Sequence, residues 1–473
     1  MIESVSRAFV GAVLGLAAAK AAVAFVVANA PANVYGIENA RLAPLSIAVG
    51  AAAALLAGIA AGLPPALRWA RSGEPGAATS GGRSIGDVAS SRIRGALVVS
   101  QVALAAVLLV AAGLTTRSFS NLVSMDVGFD PSDLLTMEYR LPVNRYASPA
   151  SQAHFHRQAL ERIRSLPGVT AAAGVRALPF SGNDSSTSIH LTTNGPARQV
   201  SVNAVSDEYF ATMRIPIVAG RVFRRTEGKA PIVVVSRTLA DAAWPGEPAI
   251  GKSLYFDAVD LTATVIGVVG DVRHRGLANA DPGTVYTFGG QNPALFNTLA
   301  VRTTGAPMAL ADDVRRAVWS VDPDQPVWKI RALQSLIERS VATRLFVVQL
   351  VGFFGLSAAA LAVLGLYGVV TSSVAQRTRE IGVRVALGAT STRVLRLVLW
   401  TGLRLGGLGI AVGLALAGAA TNLMRSFLVG ITAHDAVAFG AAASLLFAAM
   451  LLACLVPSAR ALRVDPVSAL REV

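Results

Sequence analysis

RTREIGVRVALGATSTRVLR, residues 377–396, holds five arginines and a single glutamate. It lies between two long runs, Leu345–Gln376 and Leu405–Met424, that contain no charged residue. Short basic segments between apolar spans stay in the cytoplasm. The stretch therefore reads as a cytoplasmic linker between two membrane spans. As a helix it brings Arg377, Glu380, Ile381 and Arg384 near one another, with Val383 and Leu387 on one apolar strip and Ile381 and Val385 on another. Gly388 suits a C-cap and Thr390 or Ser391 the N-cap of a following helix. A loop that only fixed topology would need no apolar strips, so the segment also reads as a handle for another protein.

Composition agrees with a membrane protein. The 473-residue chain is 53% hydrophobic and only 15% charged, with a mean hydropathy of +0.54; soluble proteins carry about 25% charged residues. A net charge of +14 could suit nucleic acid. The arginines, however, cluster beside apolar runs, where the positive-inside bias puts them, so no nucleic-acid partner is expected. The sole cysteine, Cys454, lies in an apolar run, which excludes an internal disulfide and a cysteine metal site.

A spanning helix needs about 20 apolar residues. Six segments qualify: Ala8–Ala28, Pro44–Leu63, Gly95–Thr116, Phe346–Val370, Leu405–Met424 and Val437–Leu455. The first contains Lys20, a costly residue at mid-bilayer unless it snorkels. The Pro64–Arg94 loop carries Arg68, Arg71, Arg83, Arg92 and Arg94, and the tail adds Arg460, Arg463 and Arg471. The basic loops and both termini are therefore expected inside, and residues 117–344 outside. The opening MIESVSRAFVGAV lacks a cleavable signal pattern, so the first span is expected to stay.

Residues 7–71 resemble residues 404–463. GAVLG (Gly11 to Gly15) aligns with GIAVG (Gly409 to Gly413), each a G-x-x-x-G that permits close packing of membrane helices. PALRWAR (65–71) aligns with PSARALR (457–463). The pairing suggests a duplicated protein whose first unit keeps only its last two spans.

The external stretch has α/β patterning. LLTMEYRLP (134–142) alternates like a strand, a helix is expected over Pro149–Leu166, and a short strand over Ala171–Val175. A second strand–helix–strand set follows at 298–304, Met308–Val321 and 326–332, with a helix from Leu333 running into the fourth span. These units suggest a split βαβ sandwich, with a mainly β insert whose strands fall at 198–204, 231–236 and 262–270. Ser206 is the expected N-cap of a helix over Asp207–Met213.

GEPAIGKS (Gly246–Ser253) matches the phosphate-loop pattern letter for letter. A working loop needs a strand before it, a helix after it and free backbone N–H groups. Here a helical stretch precedes, strands follow and Pro248 removes a donor, so a glycine turn is expected. His154 and His156 are two apart on a helix and cannot chelate together. Asp271–His274 and Ser181–Thr187 read as polar loops. No nucleophile–base constellation, cofactor site or metal site stands out, and no enzyme activity is expected.

The segment RTREIGVRVALGATSTRVLRLVL resembles the hallmark of FtsX/MacB-type ABC transporter permeases, R-x-R-E-I-G-(I/V)-R-x-A-L-G-A. The terminal PSARALRVDPVSALREV is similar to that family's closing pattern, and VSDEYFATMRIPIVAGRVF, WPGEPAIGKSL and TVIGVVGDVRHRGL fit its periplasmic core. The resemblance implies a polytopic α-helical inner-membrane protein with six spans and one large periplasmic α+β domain of MacB type. It divides the chain into 1–71 (two spans of a truncated first unit, as in the duplicated orphan permeases), linker 72–94, span 95–116, periplasmic core 117–344, and an FtsX-like permease domain 345–473 with cytoplasmic loop 377–399. It further implies a separate ABC ATPase as partner and a dimer with itself or a related permease. Arg377, Arg379, Glu380 and Arg384 would make polar contacts with that ATPase, while Ile381, Val385 and Leu387 pack; Gly382 and Gly388 complete the motif. The implied function is mechanotransmission or transport, with a non-transport scaffold or an inactive fragment as the alternative.

Overall fold

The computed structural model describes residues 2–31, 43–52, 85–142, 144–183, 185–192, 195–227, 230–278, 281–289, 298–376, 390–421, 430–432 and 434–461. They fall into two units, Met1–Asn121 with Thr343–Val473, and Leu122–Ala342. Helices α1 (Ile2–Asn29) and α2 (Ile85–Val123) open the first unit. They contain candidate spans at Phe9–Asn29 and Arg92–Val123. Lys20 is exposed on α1, so its ammonium can reach along the helix toward an interface. Residues 44–52 are helical too; the rest of the expected span Pro44–Leu63 lies outside the described residues.

The second unit begins with β1 (Leu134–Tyr139), α3 (Pro149–Arg164) and β2 (Val169–Val175). Helix α3 starts where it does because Ser148 caps it, its hydroxyl accepting from the Ser151 N–H at 3.1 Å, and because Pro149 needs no partner in the first turn. Strands β3 (Ser186–His190), β4 (Arg198–Val205), β5 (Ile217–Gly220), β6 (Ile232–Ser236), β7 (Ser253–Phe256), β8 (Leu261–Val269) and β9 (Thr284–Phe288) follow, with short helices α4 (Tyr209–Met213) and α5 (Arg237–Ala243) among them. Strand β10 (Thr298–Thr303), helix α6 (Ala311–Trp319) and β11 (Val327–Ala332) close the unit.

Strands β11-β1-β10-β2 form an antiparallel sheet. Helices α3 and α6 bury one of its faces. Leu135, Met137 and Tyr139 of β1 meet Phe155, Leu160 and Ile163 of α3 and Val314 and Val318 of α6 there. Each such side chain contributes about 1.5–3 kcal/mol by leaving water. All six β1 residues are buried, although the sequence alternates. The polar face is covered as well: Glu138 pairs with Lys329 Nζ at 2.9 Å and Arg331 at 3.6 Å.

Between β2 and β10 the chain builds the β insert. Its strands β4-β3-β7-β8-β6-β9 return to β4 through a parallel β4–β9 pairing, Ser201 opposite Thr284 through Val205 opposite Phe288, and so close into a six-strand ring. Val233, Val235 and Val285 pack with Leu239 and Ala243 of α5 on one face. The alternate residues Val234 and Tyr286 join Phe210 and Phe223 on the other. The expected N-cap at Ser206 is corrected. The Ser206 hydroxyl instead accepts from the Gly174 N–H at 3.1 Å, and α4 begins only at Tyr209 with no side-chain cap.

Helices α7 (Leu333–Gln376), α8 (Ser391–Ala420) and α9 (Ala436–Ala461) complete the chain. They supply candidate spans at Leu333–Ala375, Leu399–Ala420 and Ala436–Ser458. The described residues thus hold five candidate spans, against six expected. Pro457 lies at the end of the last candidate span, Ala436–Ser458, and α9 runs through it to Ala461.

Candidate functional site in the helix bundle

Within the first unit, α2 is the centre of a four-helix arrangement. Its Val102, Ala106, Val110 and Leu114, spaced by one turn, are fully buried and pack with Ala362 and Leu366 of α7 and with Leu446 and Cys454 of α9. Glycines set the approach distances. A Cβ placed on Gly409 would sit 2.6 Å from Val102 Cβ, and one on Gly413 would sit 2.6 Å from Ala106 Cβ and from the Ala103 carbonyl oxygen. The same side of α8 faces α9 at Gly402 and Gly406, where a Cβ would come within 2.3 Å of Cys454 Sγ and 2.4 Å of Met450 Sδ. Small residues of this kind let membrane helices approach where bulkier ones would hold them apart.

These pairs also give direction. Gly95 faces Leu405, Gly409 faces Val102 and Gly413 faces Ala106, so α2 and α8 run parallel. Gly365 meets Gln101 and Gly355 meets Leu109, so α7 runs opposite to α2. Cys454 meets Gly402 and Met450 meets Gly406, so α9 runs opposite to α8 and hence to α2, and Ala438 lies against Gly113. One end of the bundle therefore collects Arg92, Arg94 and Arg404 with Ser372 of α7. Arg94 donates to the Ser372 hydroxyl at 3.0 Å, and the Arg404 guanidinium stacks over the Trp400 ring.

At the other end, Arg117 of α2 donates to the Asp435 carboxylate. Asp435 also caps α9, accepting from the Val437 and Ala438 N–H groups at 3.1 and 2.9 Å. The Ala438 bond, then Arg117, hold that carboxyl below its ordinary pKa against the opposing effect of burial. Asn121 donates to the Gly430 carbonyl at 3.1 Å beside it.

A groove of about 1000 Å³ runs along α2, α7 and α8 from the arginine end. Its basic mouth is formed by Arg92, Arg94 and Arg404, and its floor continues through Ala103, Val107 and Val412 to Leu416.

The sequence-expected sites map onto this frame unevenly. Arg377, Arg379, Glu380, Ile381, Gly382, Arg384, Val385, Leu387 and Gly388 all lie outside the described residues. Gly11 and Gly15 face open space, where a Cβ would meet nothing within 4 Å. Gly402 and Gly406 had a legible signal, a second G-x-x-x-G beginning TGLRLGG, which the sequence reading passed over. The Arg117–Asp435 pair had none, since its members are 318 residues apart.

The second unit offers no reactive centre among the described residues. In GEPAIGKS, Gly246 and Gly251 take positive φ, Lys252 Nζ donates to Glu247 at 2.6 Å, and β7 rather than a helix follows. His156 is buried against the Tyr139 hydroxyl at 2.5 Å, and His274 lies near Tyr286. Among the described residues no three His, Cys, Asp or Glu side chains group as metal ligands.

Residues 96–317 match the family model of the MacB-like periplasmic core domain, and residues 352–466 match that of the FtsX-like permease C-terminal region. The chain belongs to the FtsX/MacB-like ABC permeases. A macrolide export ATP-binding/permease protein MacB of Marinobacter nauticus is 29% identical over 334 residues, which cover 65% of this permease and 47% of that protein. Its namesake in an Azoarcus species is 27% identical over 328 residues, covering 65% and 46%. The permease thus spans about half the length of the curated relatives it matches. Among solved structures, the periplasmic region of MacB from Actinobacillus actinomycetemcomitans gives a TM-score of 0.32 at 12% identity, over 46% of this chain and 95% of that one. The extracellular domain of the noncanonic ABC-type transporter YknZ from Gram-positive bacteria gives 0.31 at 13% identity, over 42% and 99%.

Proposed function

We propose that this permease couples a separate cytoplasmic ABC ATPase to movement of its MacB-like core domain, as a mechanotransmitting or transporting subunit. The observation that supports this most is a single uninterrupted helix. Leu333 and Leu336, at the start of α7, belong to the core of the second unit. Ala362 and Leu366, further along α7, belong to the bundle core. The helix ends at Gln376, and the next residues in the chain are RTREIGVRVALGA. Both cores thus take residues from the helix that immediately precedes this segment in the chain.

The proposed arrangement has six spans in the bacterial inner membrane, the arginine end of the bundle and both termini in the cytoplasm, and residues 117–344 in the periplasm. The basic mouth at Arg92, Arg94 and Arg404 supports this orientation. Arg377, Arg379, Glu380 and Arg384 make polar contacts with the ATPase, Ile381, Val385 and Leu387 pack against it, and Gly382 and Gly388 shape the docking helix. A two-fold ATPase calls for a second copy of this chain or of a related permease. ATP hydrolysis belongs to the partner, because the one phosphate-loop look-alike here is a turn between a helix and a strand.

The test is the ATP turnover of a cognate ATPase with the purified permease. Wild type should raise it, and Glu380→Lys or Ile381→Asp should abolish the rise. Retention of the ATPase by both variants at wild-type levels would refute the docking assignment. An impermeant maleimide tests the orientation separately: it should label Ala306→Cys in intact cells and leave Ser373→Cys unlabelled.

A further inference from the structure

The groove along α2, α7 and α8 is amphipathic along its length. Its mouth presents Arg92, Arg94 and Arg404, all on exposed residues, with Trp400, 57% exposed, beside Arg404. Away from the mouth its walls are apolar: Leu104, Leu408 and Leu416 are each more than half exposed. The apolar wall from Leu405 to Leu416 rises about 16 Å at 1.5 Å per residue. That is close to half of the roughly 30 Å hydrocarbon core, one leaflet rather than a whole span. The cavity volume lies at the top of the about 300–1,000 Å³ usual for small-molecule sites.

From this pattern we infer that the groove is a binding site for one anionic phospholipid. The phosphate is held by the guanidinium groups of Arg92, Arg94 and Arg404, and an acyl chain lies along Leu104, Leu408 and Leu416. Charge decides the headgroup, because planar guanidinium donors match phosphate oxygens. Depth decides the class of occupant. A helix of a second copy would need a partner surface along the full span, whereas the trough ends after one leaflet. Trp400 fits the same reading, since an indole with an apolar body and a polar N–H settles at the level of the headgroups. The bound lipid bridges α2 and α8 at the end of the bundle from which the 377–389 segment leaves α7. It therefore stabilises one packing of these helices. The site does not depend on the ATPase reading, because each arm of its test is measured without an ATPase.

The full chain in a neutral detergent is titrated with phosphatidylglycerol carrying brominated acyl chains, and Trp400 quenching is taken as the difference from Trp400→Phe. Half-quenching should occur at about a hundredfold less phosphatidylglycerol than phosphatidylcholine, given about 1 kcal/mol for each of the three arginines near an anionic headgroup. The triple variant Arg92→Gln, Arg94→Gln, Arg404→Gln should bring the two lipids level. Leu104→Ser, which makes an exposed part of the apolar wall polar and leaves the charges in place, should weaken quenching by both lipids. Inorganic phosphate at matched concentration should not compete. Equal half-points for the two lipids in wild type would overturn the assignment, as would an unchanged preference in the triple variant. A third refuting result is specific to a second copy: Leu408→Cys in a Cys454→Ser background cross-linking fully between chains in vesicles, with no lipid quenching.

Discussion

Arg302 holds Asp130 from two directions: its guanidinium donates to the Asp130 carbonyl at 2.8 Å and stands 3.4 Å from the carboxylate Oδ2. The same side chain, 5% exposed, donates to the carbonyls of Thr212 at 2.7 Å and Ser132 at 2.9 Å. One residue of β10 thus ties down the end of α4 and the turn that leads into β1. Replacing it by methionine keeps much of the volume and strips three carbonyls of their donor. Arg302→Met should cost about 3 kcal/mol, read as a lowered midpoint in thermal unfolding of the full chain. A cost under about 1 kcal/mol would mean that water replaces the guanidinium without loss.

The same knot sets an acid limit. Burial raises the Asp130 pKa, but hydrogen bonds from Ser132 and Arg214 and the charge of Arg302 outweigh it and leave the carboxyl below its ordinary value. A lowered folded pKa means that the charge stabilises fully above the unfolded value of about 3.9 and is lost as pH falls through the folded one. Asp130→Asn should therefore be less stable than wild type at neutral pH, with the difference shrinking below about pH 4. A constant difference across that range would assign the loss to packing.

Gly413 is predicted to be intolerant of a larger side chain and Gly11 tolerant. Gly413→Val drives a side chain into Ala106 and the Ala103 carbonyl and should cost about 1–3 kcal/mol of overpacking. Gly11→Ala and Gly15→Ala enter open space and should leave the melting temperature unchanged or slightly raised, since alanine is the better helix former. Melting of the three variants in one detergent checks this.

Asp435 performs two tasks that separate by substitution. Asp435→Asn keeps an acceptor for the Val437 and Ala438 N–H groups and loses the charge facing Arg117; Asp435→Ala loses both. The expected order of melting temperatures is wild type, then Asn, then Ala. Adding Arg117→Gln to Asp435→Asn should lower it no further, a double-mutant result that isolates the ion pair.

Gly128 is required by its surroundings. It takes φ of +81°, and a Cβ there would lie 1.7 Å from the Asp271 carbonyl oxygen. Gly128→Ala combines left-handed strain with a direct clash. It should reduce the yield of folded protein more than Gly246→Ala, whose positive φ is similar but whose Cβ meets nothing within 4 Å.

What the sequence revealed follows from the range over which each signal acts. Spans and helices are local, so α3 was expected over Pro149–Leu166 and formed over Pro149–Arg164, and five of the six expected spans coincide with candidate spans among the described residues. Strand existence was also local: residues 198–204, 231–236 and 262–270 became β4, β6 and β8. Their ring was hidden, because the β4–β9 pairing that closes it joins segments some 80 residues apart, and alternation says nothing about which strand lies alongside. Ser206 misled for a related reason. Its hydroxyl has the chemistry of an N-cap, and a β2 backbone N–H took it first. The arginine groove was invisible because Arg92 and Arg404 read equally well as topology signals until α2 and α8 were seen to run parallel.

The split sheet has a consequence for the order of folding. Its frame is fastened by contacts such as the Thr136 hydroxyl to the Arg331 carbonyl, 195 residues apart. In the inserted ring the pairings β7–β8 and β3–β4 need only short loops to close, and even its closing β4–β9 pairing joins segments only some 80 residues apart. Loop-closure entropy and contact order favour the ring forming first on a growing chain. The strands β1 and β2, made earliest, wait with unpaired edges until β10 and β11 arrive. Those waiting edges, rather than the finished fold, are where a folding helper or a protease would find this protein most open.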